Sequence, residues 1–250
     1  MAEMALPARP GQLEEEGYSS GFHCIAGLDE VGRGPWAGPV VAGAVILPRG
    51  VSHPDIQDSK LLTSKKREAL AVWIKERAVA WGLGIVGPQE IDQINILKAS
   101  LLAMAYAFKQ LQPTPDCLFI DGPHKIPLDF LVEGNRQQAT GNRGEEEVGK
   151  GDISHASSLT PHAFPFQRAI KKGDRLCVSI AAASIVAKVA RDRMMKEYDK
   201  LYPEYGFGQN KGYGSPVHLA ALNRHGPSPI HRQSFKPVRK CLRLGLSNED

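Results

Sequence analysis

Asp29 and Glu30 form a pair of carboxylates just ahead of a Gly32-Arg33-Gly34 turn. One apolar run, Cys24 to Leu28, leads into them, and a second, Val40 to Leu47, follows the turn. Packing explains carboxylates at the end of a core strand poorly, because burying an unpartnered charge is costly. A hard divalent cation explains them well, since Mg²⁺ and Mn²⁺ take oxygen ligands. The glycines let backbone approach a ligand closely, and the guanidinium of Arg33 suits a phosphate. Asp121, after the apolar run Cys117 to Ile120, and Asp174, after Lys171-Lys172-Gly173, extend the set. Taken alone, each also fits an ordinary turn or cap residue. Adjacent strand residues point to opposite faces, so Asp29 and Glu30 share a site only if the turn breaks that alternation. Four such carboxylates suit two divalent ions about 4 Å apart, an arrangement that displaces a phosphodiester oxygen in line. The chain has no Walker-type loop, Ser-His-Asp arrangement or Cys-His metal spacing to compete with this reading.

The elements that must position these groups alternate between short apolar strands and helices, which indicates α/β architecture. Thr63 or Ser64 caps a helix running to about Ala78, with Leu70, Trp73, Ile74 and Arg77 at helical spacing. Val79 to Val86 reads as a strand. Gly87-Pro88 opens a second helix whose apolar stripe runs from Ile91 through Phe108. Ile180 to Tyr198 is a long helix with a face of small residues, Ala181, Ala182, Ala183 and Ala187. A short helix spans about Val217 to Leu222. Residues 1–22 read as a disordered leader. Residues 133–158, rich in Gly, Asn, Gln, Glu and Ser, read as a flexible insertion.

Composition is that of an ordinary globular chain of 250 residues, 42% hydrophobic and 23% charged. Four dispersed cysteines read as reduced thiols, and no apolar run is long enough to span a bilayer. A cytoplasmic location without membrane contact is the expectation. The net charge of +4 hides an asymmetry. Residues 166–240 hold 15 Lys+Arg against 5 Asp+Glu, so the remainder of the chain is net acidic. A basic third beside a carboxylate-bearing part suits a polyanion gripped by one and cut at the other.

Several motifs, in order, resemble a known family. Gly27-Leu28-Asp29-Glu30-Val31-Gly32-Arg33-Gly34-Pro35 is similar to the opening motif of bacterial type 2 ribonuclease H, ribonuclease HII. Asp58-Ser59-Lys60, Asp121-Gly122, Lys172-Gly173-Asp174, Ala181 through Val189, Gly212-Tyr213-Gly214 with His218, and His231 through Phe235 continue the resemblance in register. It implies a ribonuclease H-like mixed β-sheet flanked by helices over residues 23–200, with a small helical substrate-binding extension over 201–250. It also implies an endoribonuclease that cuts the RNA strand of RNA–DNA hybrids. The same enzyme would cut on the 5′ side of ribonucleotides embedded in duplex DNA, with Mn²⁺ or Mg²⁺ as cofactor. Asp29, Glu30, Asp121 and Asp174 match the metal-binding carboxylates. Gly32, Arg33 and Gly34 match the segment that reads the ribose 2′-hydroxyl, and Tyr213 the ring that stacks on the neighbouring sugar. Lys60, Ser184, Lys188 and Arg232 fall in motifs that contact phosphate or support the site. Ser215 departs from the threonine that the pattern expects. A monomer is expected. The alternatives are a ribonuclease HIII-type enzyme, which lacks the Gly-Arg-Gly segment, or an inactive hybrid-binding protein. Replacing residues 133–158 with a short Gly/Ser linker is expected to leave folding and cleavage nearly intact, as circular dichroism and a hybrid-cleavage assay would report; loss of either would show that the segment packs or functions.

Overall fold

The computed structural model describes residues 11–56, 62–132 and 164–245. Its centre is a five-stranded sheet in the order β3-β2-β1-β4-β5. Strands β1 (Ile25–Val31), β2 (Val40–Ile46) and β3 (Ala80–Val86) run as an antiparallel meander. Strands β4 (Cys117–Asp121) and β5 (Phe166–Ile170) lie parallel to β1 on its other side. Five of the helices follow the sequence order as α1 (Gln12–Ser19), α2 (Ser64–Arg77), α3 (Pro88–Ile94), α4 (Ile96–Phe108) and α5 (Leu128–Val132). The remaining four are α6 (Val178–Leu201), α7 (Phe207–Asn210), α8 (Pro216–His225) and α9 (Lys236–Gly245).

The two faces of the sheet are covered differently. On one face α6 lies across β1 and β2, with α2 packed against it. On the other, α4 covers β2 and β3, so that Leu28, Ala42 and Ala44 pack with Ala103 and Met104. The small residues of α6 meet glycines in the strands below. A Cβ placed on Gly27 would lie 2.1 Å from the Ser179 carbonyl carbon, and one on Gly43 would lie 2.4 Å from the Ala183 carbonyl oxygen. Helix and sheet thus touch backbone to backbone, which fixes the height of α6 over the strand ends that carry the carboxylates.

Several expectations need correction. Residues 11–22 are not a disordered leader, because α1 packs on the N-terminal end of α6. There the Glu14 carboxylate accepts from the Ser179 amide at 2.9 Å and its hydroxyl at 2.8 Å, capping the helix. The expected single helix from Pro88 to Phe108 is two helices. Asn95 breaks it with φ 71°, and its side chain caps α4 by accepting from the amides of Leu97 and Lys98. Strand β5 and helix α9 were not foreseen. Residues 133–158 and the Asp58-Ser59-Lys60 motif lie outside the described residues. Gly27→Ala is expected to destabilise by about 1–3 kcal/mol, because its clash is with helix backbone that cannot rotate away. Thermal unfolding should report this as a fall in Tm of about 2–4 °C per kcal/mol.

Candidate active site

Strand register brings the first two carboxylates together. Pairing of Gly27 with Phe119 in the parallel β1–β4 ladder puts Asp29 beside Asp121 one dipeptide further on. Both project to the α6 face at the carboxyl ends of parallel strands, where α/β sheets place their sites. Alternation along β1 is not broken. The strand runs on to Val31, and Glu30 points to the α4 face, where it shares a small recess with Ser100, Leu101 and Met104. It lines the same cleft as Asp29 all the same. Asp174 arrives from a turn of 3₁₀ helix (Gly173–Arg175) after β5, and the Gly173 amide donates to Asp121 Oδ1 at 2.7 Å.

One cleft of about 540 Å³ is lined by Asp29, Glu30, Asp121, Asp174, Ser184, Lys188 and Tyr213. Seven residues drawn from distant parts of the sequence therefore converge. Arg67 and Lys172 also line it. Lys172 stands in one of the family motifs without a role of its own, and the sequence does not single out Arg67. Ser184 and Lys188 are one turn apart on α6. Ser184 faces Asp29 and favours its charged form, and the Lys188 ammonium donates to Asp192 Oδ1 at 2.7 Å. The half-exposed ring of Tyr213 forms one wall. Arg33 pairs with Glu30 Oε1 at 3.0 Å.

The carboxylates are electrostatically unhappy where they sit. Burial, followed by Glu30 and Asp121, raises the Asp29 pKa well above the usual carboxylate range, against Ser184 and the Glu30-amide hydrogen bond. Burial also raises Glu30, although Arg33 opposes the shift. Asp121 is raised by burial against the Gly173 amide. As they stand, no three carboxylates, imidazoles or thiolates among the described residues converge as ligands of a single ion. Asp29 Oδ1 leans on the Glu30 amide, Glu30 on Arg33, and Asp121 on Gly173. An all-oxygen donor set whose charges are disfavoured without a cation fits a hard divalent ion by its chemistry.

The turn that carries Gly32, Arg33 and Gly34 is held from beneath by two fully buried arginines. Arg232 donates to the carbonyls of Gly32 (2.6 Å), Arg33 (3.1 Å) and Gly38 (2.9 Å). Arg191 donates to those of Pro39 (2.9 Å), Lys211 (3.0 Å) and Ala37 (3.2 Å). Arg232 is thus not a substrate contact, because its donors are committed to backbone and it has no exposed surface. It supports the site instead. Gly32 also acts differently from expectation. Its φ is 97°, and a Cβ there would lie 2.2 Å from Arg191 Nε, so the glycine is required by the interior below the turn. Gly34 is the residue that faces the ring, with a Cβ position 3.3 Å from Tyr213 Cε1. Lys60 lies outside the described residues.

The ribonuclease HII family model matches residues 26–238, spanning every one of these groups. The chain belongs to the ribonuclease HII family. It is 46% identical to ribonuclease HII of Geobacter sulfurreducens over 92% of this chain and 90% of that one. Ribonuclease HII of Geobacillus thermodenitrificans is 47% identical over 92% of this chain and 75% of that protein. Among solved structures, ribonuclease H2 of Pyrococcus horikoshii superposes with a TM-score of 0.65 at 25% identity, covering 90% of this chain and all of that one. Membership of the ribonuclease HII family makes the chain a hydrolase, an endoribonuclease acting on RNA–DNA hybrids. No helix among the described residues is long and apolar enough to cross a membrane.

Because the folded state raises the pKa of Asp29, it holds that proton more tightly than the unfolded chain does. Stability from this group is therefore full below its unfolded pKa and is lost as pH rises through the folded value. In chelator, Asp29→Asn is expected to melt above the parent at pH 7, with the gap closing as pH is lowered towards the ordinary carboxylate range. A calorimetric pH series checks this; an Asn variant less stable at pH 7 and equally so at every pH would contradict it.

Proposed function

We propose that this ribonuclease cuts duplex DNA on the 5′ side of a single embedded ribonucleotide, as well as the RNA strand of hybrids, and leaves 3′-hydroxyl and 5′-phosphate ends. The supporting observation is the single cleft that collects four carboxylates, Ser184, Lys188 and Tyr213. Asp29, Glu30, Asp121 and Asp174 would hold divalent cations, Mg²⁺ or Mn²⁺. Two such ions, when bound, supply an activated water and charge neutralisation at the leaving oxygen.

The remaining roles fall to the chain itself. With the carbonyls of Gly32 and Arg33 committed to Arg232, the turn turns its amide edge to a ribose 2′-hydroxyl, the group that separates RNA from DNA. Arg33 and Gly34 complete that recognition. Across Gly34, the flat face of Tyr213 packs on the next sugar and favours a deoxyribose there. A lone ribonucleotide followed by DNA satisfies both contacts. Lys188, Lys172 and Arg67 line the cleft as cations suited to the phosphates on either side. Asp192 orients Lys188, and Ser184 orients Asp29. In this division of labour the segment 201–250 contributes the sugar-sensing ring and belongs to the substrate-binding surface.

Gel analysis of a duplex bearing one ribonucleotide, with Mg²⁺ or Mn²⁺, tests the proposal. Asp29→Asn and Asp121→Asn should each lose nearly all cleavage while retaining hybrid binding. Tyr213→Ala should slow cleavage at the single ribonucleotide more than within a long hybrid, by about 5- to 150-fold if a stacking contact worth ~1–3 kcal/mol is lost. Activity of both Asn variants within tenfold of the parent, or equal cutting of all-DNA duplex by the parent, would defeat the assignment.

A further inference from the structure

Two histidines that take no part in the chemistry above lie beneath Tyr213. His218, on α8, and His231, in the tail, are both buried, and their Nε2 atoms are 2.9 Å apart. His218 Nδ1 is 2.8 Å from the Tyr213 carbonyl oxygen. His231 Nδ1 receives the Ser228 amide at 2.9 Å, with the Ser228 hydroxyl at 2.8 Å.

We propose that His218 and His231 are positioning residues: a one-way chain of hydrogen bonds through two neutral imidazoles fixes the Tyr213 backbone, and through it the ring in the cleft. The protons can be placed from both ends independently. An amide only donates, so His231 Nδ1 is bare and its proton sits on Nε2. A carbonyl only accepts, so His218 carries its proton on Nδ1 and leaves Nε2 bare. The two assignments meet at the Nε2–Nε2 contact as one donor and one acceptor, with no mismatch. Any further proton would set N–H against N–H, or N–H against the Ser228 amide.

The surroundings keep the pair uncharged. Trp36, Tyr205 and Phe207 pack on the imidazoles, and the Tyr205 hydroxyl is spent on the Gly226 carbonyl. The two buried arginines nearby are committed elsewhere, Arg232 and Arg191 donating to the carbonyls of the 32–39 turn and of Lys211. Burial lowers the pKa of His218 and, with His218 beside it, that of His231 to about 4. Tyr213 is thereby held at its amide by the Asn210 carbonyl and at its own carbonyl by the Ser215 amide and His218. The Ser215 hydroxyl, in turn, receives the His218 amide at 3.1 Å and seats α8.

The inference rests on the proposed role of Tyr213, so the test separates the two. In ¹⁵N-histidine-labelled full-length protein, two-bond ¹⁵N–¹H correlation spectra at pH 7 should show His218 as the neutral Nδ1–H tautomer and His231 as the neutral Nε2–H tautomer. Reversed tautomers, or a charged ring at either position, overturn the inference whatever Tyr213 does. The second measurement is the ratio of cleavage rates on a single-ribonucleotide duplex and on a long hybrid. His218→Leu should lower this ratio in the same sense as Tyr213→Ala, by about 2- to 10-fold, the worth of one hydrogen bond. His218→Asn, whose amide can donate near the Nδ1 position, should restore it. A drop with Tyr213→Ala and none with His218→Leu overturns the inference alone. No drop with Tyr213→Ala overturns the reading of Tyr213, and the tautomers then decide the hydrogen-bond chain by themselves.

Discussion

Asp29 and Asp121 sit side by side on one face of a buried sheet, and the fold gives them no means of moving apart. Their separation is set by the parallel ladder of β1 and β4, and their cover by α6, which rests on the glycines of β1 and β2. Each carboxylate finds one or two protein donors, yet burial and mutual repulsion keep their protons held above the ordinary range. A site that is costly to keep charged when alone is one that gains most from a bound cation. The rest of the architecture holds that arrangement in place.

The proposed function also requires a turn that can meet a sugar without collapsing. The 32–39 segment is stiffened by five carbonyl hydrogen bonds from Arg191 and Arg232, and a sixth, from Arg191, ties in the Lys211 carbonyl. Arg232 reaches it from 200 residues away in sequence. Asp92 on α3 pins the adjoining tail by accepting from the amides of Gln233 and Ser234. The 32–39 turn and the C-terminal segment that carries Tyr213 are therefore tied to each other by hydrogen bonds from the same two arginines.

The carboxylates were legible in the sequence because charge at the end of an apolar run contradicts packing, and the structure gathers them into one cleft. The Thr63 cap of α2 and the strands β1 to β4 were legible from local signals. What escaped was set by distance. Arg232 is marked only through the family motif, and nothing local says that its partners are the carbonyls of Gly32 and Arg33. Gly32 reads as a route for a ligand, whereas its empty Cβ position is filled from within by Arg191. His218 and His231 lack helical metal spacing, so their pairing emerges only when α8 meets the tail. Helix α1 escaped because it lacks an apolar stripe: only Leu13 and Tyr18 pack on the core, and the Glu14 carboxylate caps Ser179.

The central claim is that the cluster is built to be neutralised by divalent cations, and counting bound ions addresses it most directly. Mn²⁺ titration followed by electron paramagnetic resonance, with calorimetry in two buffers of different ionisation enthalpy, gives both stoichiometry and proton release. The account predicts saturable binding to the parent protein, accompanied by proton release that grows as pH falls, because the carboxylates hold protons that the ion displaces. Both signals should be lost from the Asp29→Asn/Asp121→Asn double variant. Equal Mn²⁺ binding by the double variant, or no saturable binding by the parent, would contradict it.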